Sequence, residues 1–171
     1  MLDIQYTKDA LNDFGKQVVS RSKANLTRGK KNVFGDLYKS LGYTFKVSPN
    51  SFGMYFTMED YGVFQDEGVS GTKKKYKTPH SFTNKQPPSE PIARWAKARN
   101  IRLRDEKGRF KKGSYKTIGF IIARSIKEKG IKPSLFFTKP FAAAFKKLPE
   151  DLIESFALDI EEFLENTRDV N

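Results

Sequence analysis

Between residues 42 and 58 the chain reads GYTFKVSPNSFGMYFTM, and the alternation in this stretch decides the fold class. Tyr43, Phe45 and Val47 alternate with Thr44 and Lys46; after Ser48, Pro49, Asn50 and Ser51 the pattern resumes with Phe52, Met54, Phe56 and Met58. Apolar side chains at period two on both arms of a four-residue turn spell a half-buried antiparallel hairpin. Thr44, Lys46, Tyr55 and Thr57 then share the outer face, turned to solvent or to another subunit.

The flanks are helical. Leu11, Phe14 and Val18 recur at three and four, predicting a helix from about Asp9 to about Leu26 with Thr7 as N-cap. Gly15 weakens that helix by ~1 kcal/mol relative to Ala. Residues 28–32 (RGKKN) make a basic turn, and a short second helix runs from Asp36 to Leu41, ended by Gly42. Beyond the hairpin, Tyr61 and Phe64 stand one turn apart in a short segment closed by Gly68, Gly71 and Thr72. Residues 73–88 (KKKYKTPHSFTNKQPP) hold five lysines and three prolines without a period, which marks a long loop.

Ser89 caps the next helix, which carries Ile92 and Trp95 and has Asn100 just past its end. A second basic loop, about 101–116, leads to a helix from Tyr115 to Lys129. Its Ile118, Phe120, Ile121, Ile122 and Ile126 predict burial on most sides, and Gly130 before Ile131 predicts a Schellman stop. Phe136, Phe137, Phe141, Phe145 and Leu148 are assigned to a helix that Pro140 starts and Pro149 ends. The last helix, about 149–166, has the cleanest period, with Leu152, Ile153, Phe156, Ala157, Ile160, Phe163 and Leu164 as its apolar set. The reading is one α+β domain over residues 1–171: a small antiparallel sheet packed against an N-terminal helix and C-terminal helices, with long basic loops.

Composition narrows the chemistry. The absence of cysteine excludes a disulfide scaffold, a zinc ribbon, an iron–sulfur site and a thiol nucleophile. His80 is the one histidine, so a catalytic pair needing His as base, or a metal site with two imidazoles, would have to be built by oligomerisation or mainly from carboxylates. No stretch approaches the ~18 apolar residues of a spanning helix, and MLDIQYTKDALNDFG has neither a basic nor an apolar leader region. These features predict a soluble chain made in a cytoplasm, with no membrane partner.

Charge is unevenly placed. The net charge is +12, yet residues 149–171 hold eight acids against Arg168, so residues 1–148 carry +19. Such a chain suits an anionic partner at its basic part, or a neighbouring copy whose opposite charge meets it.

Asp60, Asp66 and Glu67 near Lys73–Lys77, with His80 downstream, have the residue types of a carboxylate–metal nuclease. Their spacing matches no motif, and neighbours such as Asp66 and Glu67 point apart on a helix. GxxxxGK[ST] and GxGxxG do not occur, so nucleotide binding is not indicated. We assign no catalytic, cofactor or metal residues. The stronger signal is basic: Lys73, Lys74, Lys75 and Lys77 in the first loop, and Arg102, Arg104, Lys107, Arg109, Lys111 and Lys112 in the second. Flexible cations neutralise phosphates without reading bases, and interleaved Tyr76, Phe82, Phe110 and Tyr115 offer stacking surfaces. The same loops equally suit acidic protein neighbours. Glu154, Glu161, Glu162 and Glu165 in the last helix are the matching candidates for a subunit interface.

The order of segments resembles the tail-completion proteins of tailed bacteriophages, the neck or head–tail joining subunits, from about Asp9 to about Glu165. The resemblance is carried by GDLYKSLGYTF leading into the hairpin, YGVFQDEG, PIARWAKARNI, TIGFIIARSIKEKGIKPSLFFTKPF and the final amphipathic helix. Gly35, Leu37 and Ser40 match the family's Gly-x-Leu-x-x-Ser, and Tyr61, Glu67, Gly68 and Thr72 resemble its aromatic, acid and Gly-Thr pattern with the Gly-Thr pair interrupted. Ile131, Lys132 and Pro133 are similar to the family's approach to its penultimate helix. The basic insert from Arg102 to Lys116 departs from the pattern, so no role is carried over to it.

The resemblance implies a virion structural protein without cofactor. Such a protein forms a homo-oligomeric ring between portal and tail, contacts portal, connector or tail proteins, and lines the channel of packaged DNA. The competing reading, from charge alone, is a basic non-specific nucleic-acid-binding protein acting outside a virion.

Overall fold

The computed structural model describes residues 4–29, 34–48 and 51–168. Most of the expected basic turn at residues 28–32, the hairpin tip at Pro49 and Asn50, and Asp169 lie outside that set. The elements in chain order are α1 (Gln5–Arg28), α2 (Asp36–Ser40), β1 (Gly42–Ser48), β2 (Ser51–Thr57), α3 (Tyr61–Glu67), α4 (Ser89–Ala98), β3 (Leu103–Arg104), β4 (Phe110–Lys111), α5 (Tyr115–Lys129), α6 (Thr138–Phe145) and α7 (Leu148–Arg168). Helices with two separate two-stranded antiparallel sheets make this an α+β fold. Contacts group the elements into two compact units: Met1–Gly29, Asp36–Glu59 and Phe136–Asn171 in unit 1, Lys30–Gly35 and Asp60–Leu135 in unit 2.

Unit 1 is built on α1. Leu11, Phe14 and Val18 form one cluster with Ala144 of α6 and Leu148 of α7, and the hairpin residues Phe45, Met54 and Phe56 pack onto it. The hairpin register sets Tyr43 opposite Phe56 and Phe45 opposite Met54, as the alternation requires. Phe56 is the aromatic hub, with edge contacts to Phe14, Phe137 and Phe141 at 5.3–6.1 Å. A second cluster joins Leu26 of α1 to Leu37, Leu41 and Phe136. Gly15 has a packing reason: the Tyr43 ring lies where its Cβ would stand, 2.6 Å away, and Tyr43 Oη donates to Asn12 Oδ1.

The N-terminus of α1 departs from the expected cap. Thr7 lies inside the helix, and Ile4 at the N-cap position has no side chain to offer the orphan N–H groups. They are met from α7 instead. Asp159, 1 % exposed, accepts the N–H of Tyr6 at 2.9 Å, the N–H of Thr7 at 3.0 Å and the Thr7 hydroxyl at 2.6 Å. A buried carboxylate is tolerable here because three donors and the positive helix end compensate its desolvation.

Two further boundaries are corrected. Phe136 and Phe137 precede α6; Pro140 is its third residue, and Pro149 is the second residue of α7 rather than the end of α6. Proline in a first turn gives up an N–H that has no intrahelical acceptor, so both positions tolerate it.

In unit 2, α4 packs closely on α5 because their facing residues are small. A Cβ on Gly119 would fall 2.5 Å from Ser89 O and 2.8 Å from the Ala93 Cβ, and Ala96 and Ala123 are fully buried. Ser89 is the first residue of α4 and makes no capping bond, whereas Ser114 accepts the Thr117 N–H and starts α5 where expected. Asn100, with φ 51°, follows α4 in the left-handed region that ends helices. Gly130 ends α5 with φ 74° and ψ −172°, not the Schellman geometry, because Ile131 goes straight into a bridge with Val69. The expected burial of α5 on most sides is also corrected: Phe120 and Ile121 are 52 % and 48 % exposed.

Two stability measurements check this account. Asp159→Ala strands the first N–H groups of α1 in a buried site and is expected to cost about 3 kcal/mol in chemical denaturation. Ser22→Ala is expected to raise stability by about 1 kcal/mol, because Ser22 Oγ is buried among the described residues without a hydrogen-bond partner.

Candidate functional site

Charge divides with the units. Unit 2 holds 21 Lys and Arg against seven Asp and Glu, and unit 1 holds 11 against 13. All ten basic candidates therefore fall in unit 2 and all four acidic ones in unit 1.

The first basic loop is stitched down at its start. Val69 and Ile131 exchange backbone hydrogen bonds, the Ser70 N–H donates to His80 O, and the Phe82 N–H donates to Ser70 O. Ser70 Oγ accepts the Tyr76 N–H and donates to Tyr76 O, closing the turn that holds the lysines. The amides of Thr72, Lys73 and Lys74 donate to the terminal carbonyls of α5, at Lys127 and Glu128. This approach needs Gly71, whose Cβ would stand 2.2 Å from Glu128 O. Cationic residues suit a helix C-terminus, where the partial charge is negative.

The four lysines consequently differ. Lys73 Nζ donates to Glu128 Oε2 at 2.8 Å, and that ammonium holds the Glu128 carboxyl below its ordinary range. Lys74 lies over the Tyr76 ring at 5.4 Å. Lys75 and Lys77 are exposed.

The second basic loop contains a hairpin where sequence reading expected an irregular segment. Leu103 pairs with Lys111 and Arg104 with Phe110. Asp105 closes it: its carboxylate accepts the Arg109 N–H at 2.8 Å and Arg109 Nε at 3.0 Å, while the Gly108 N–H donates to Asp105 O. The signal was present as Asp105 and Gly108 three apart, the residues favoured at the ends of a type I turn, with Gly108 at φ 77°. Arg104 and Arg102 lie over Phe110 at 4.4 and 5.6 Å, and Arg104 Nη1 donates to Gly108 O. Arg102, Arg104 and Arg109 thus spend their guanidinium groups on the hairpin, leaving Lys107, Lys111 and Lys112 exposed on it.

His80, in the long loop, is half-buried. Its Nε2 donates to Glu67 Oε2 at 2.9 Å and its ring meets the Phe64 edge, so it fastens the loop to α3. Asp66, one residue before, is buried, and its carbonyl accepts the amides of Ser134 and Leu135. Among the described residues, no three His, Asp or Glu side chains gather as a metal site would require.

On α7, Glu154, Glu161 and Glu165 fall with Glu150 along one edge of the helix, at 100° per residue, while Glu162 is carried to another side. All are exposed. Among the described residues no helix is long and apolar enough to cross a membrane. Leu37 and Ser40, two residues of the family resemblance, have structural work: Leu37 is core, and Ser40 Oγ accepts the Glu59 N–H at the end of the hairpin. Comparison with known proteins gives no match to any family model, curated protein or solved structure.

The loop geometry separates the lysines experimentally. Replacing Lys74, Lys75 and Lys77 with Gln is expected to lower the slope of log K against log[salt] for duplex DNA by up to about 2.7. An unchanged slope assigns the loop to protein contacts. Because Glu128 is held low, its tie to Lys73 is intact above the ordinary carboxylate range and is lost as the pH falls through the lowered value. Protection of the Lys73 and Lys74 amides against hydrogen exchange, taken relative to the intrinsic rate at each pH, is expected to fall over that acidic window, with Glu128→Gln showing the lowered protection at every pH.

Proposed function

We propose that this chain is a structural protein of a tailed-phage virion, a neck or tail-completion subunit that forms a ring joining the portal and head to the tail. The observation that supports it best is the segregation of charge, with a polycationic unit 2 and an acid-edged α7 in unit 1. A ring repeats one heterologous contact, which needs two unlike surfaces on a single chain. Opposite charge on the two units supplies unlike surfaces. Exposed lysines on two loops suit a channel through which DNA passes, since they balance phosphate charge without reading sequence. The reading calls for no catalytic group and no cofactor, and puts the protein in the virion after synthesis in the host cytoplasm.

A non-specific nucleic-acid binder acting outside a virion draws support from the same lysines. The exposed carboxylates along the edge of α7 weigh against it, because they repel phosphate.

Cryo-EM of the particle carrying this chain tests the reading: density in a symmetric ring on the axis between portal and tail is expected. Its absence from every particle transfers the assignment to the free nucleic-acid binder. In solution, reversing Glu154, Glu161 and Glu165 to Lys is expected to lower the oligomer mass in light scattering, and an unchanged mass removes charge as the driver of assembly.

A further inference from the structure

α7 is amphipathic, yet its apolar side is not the side that packs. Asp159, Leu152 and Leu148 turn toward α1, and Asp159 fixes that rotation through its bonds to Tyr6 and Thr7. Ile153, Phe156, Ile160 and Leu164, at steps of three, four and four, are left on an open face about 16 Å long. Ile153 is 71 % and Leu164 54 % exposed. An apolar stripe of this length on a charged helix marks an interaction surface.

Two occupants from a second copy can be weighed by charge. α7 against α7 sets seven acids and one base, Arg168, against the same complement, so like charges oppose along the seam. α5 offers the opposite. Its open face carries Phe120 and Ile121, with exposed Lys116 and Arg124 one turn to either side of Phe120. Glu128 shares that face but is engaged by Lys73 and lies near Arg124. An apolar pair bordered by cations matches an apolar stripe bordered by Glu150, Glu154, Glu161 and Glu165.

We propose that the open stripe of α7 docks on the Phe120–Ile121 face of α5 in a second copy of this chain. The proposal rests on the ring reading and names its contact: burial of apolar side chains drives it, and the acidic and basic edges set its direction. Each chain carries both halves, so the contact is heterologous and propagates from copy to copy.

The absence of cysteine makes the test clean. Ile160→Cys and Ile121→Cys each place a single thiol at an exposed position. The two full-length variants are mixed in equal amounts, oxidised, and the dimers identified by mass. A disulfide-linked heterodimer dominating both homodimers is expected. Dominance of the Ile160→Cys homodimer overturns the proposal in favour of α7 self-pairing. An oligomer of closed-ring mass with no heterodimer overturns the docking and leaves the ring; a heterodimer within open filaments keeps the docking and removes the ring. A chain that stays monomeric overturns both. Phe156→Glu supplies an independent reading, because it alters an exposed position: at least a tenfold loss of association with unchanged thermal unfolding is expected, and unaltered association overturns the proposal.

Discussion

One carboxylate governs how unit 1 is put together. The first turn of α1 has N–H groups and no side chain of its own to receive them, and Asp159 meets them from a helix more than 150 residues further on. A buried charge with three donors is stable only in one geometry, so it fixes the rotation of α7 as well as its position. That rotation decides which residues of α7 face inward. The hydrophobic period of α7 and its packing are out of phase by design of this contact, and the open stripe is the result.

The elements were legible wherever local pattern and tertiary packing agree. The hairpin alternation and the span of α5 from Tyr115 to Lys129 needed no knowledge of distant partners. What sequence hid was long-range. Asp159 reads as one more acid in an acidic helix, because nothing near it announces a helix end waiting for a cap. Exposure of Phe120, Ile121, Ile153 and Leu164 was equally hidden, since periodicity reports that a face is apolar and not what covers it. Pro149 reads both as the end of one helix and as the opening of the next, because the two roles occupy the same place in a short connection; it opens α7, as the start of the last helix at about 149 requires.

The basic residues show how little a count of charges says about what they do. Lys73 is tied to Glu128 of α5, and Arg102, Arg104 and Arg109 are engaged within their own hairpin, whereas Lys75, Lys77, Lys107, Lys111 and Lys112 are exposed on the same two loops. In the hairpin the arginines build and the lysines remain outward, in keeping with the directional fork of one and the flexible stem of the other. Positioning cations on tethered loops lowers the entropy lost when they meet a polyanion.

The link between α1 and α7 also bears on the order in which the protein can be made. Almost all of unit 2 is one continuous run, so its contacts are complete once residue 135 has left the ribosome. Unit 1 has α1 before that run and its closing helix after it. Until α7 is made, α1 and the hairpin expose apolar faces and an uncapped helix end, while the cationic unit 2 already has its full sequence. Because α7 follows unit 2 in the chain, it acts as a timer: the same segment that completes unit 1 delivers the apolar stripe, so a chain in which α7 is not yet made has no means of self-association through it.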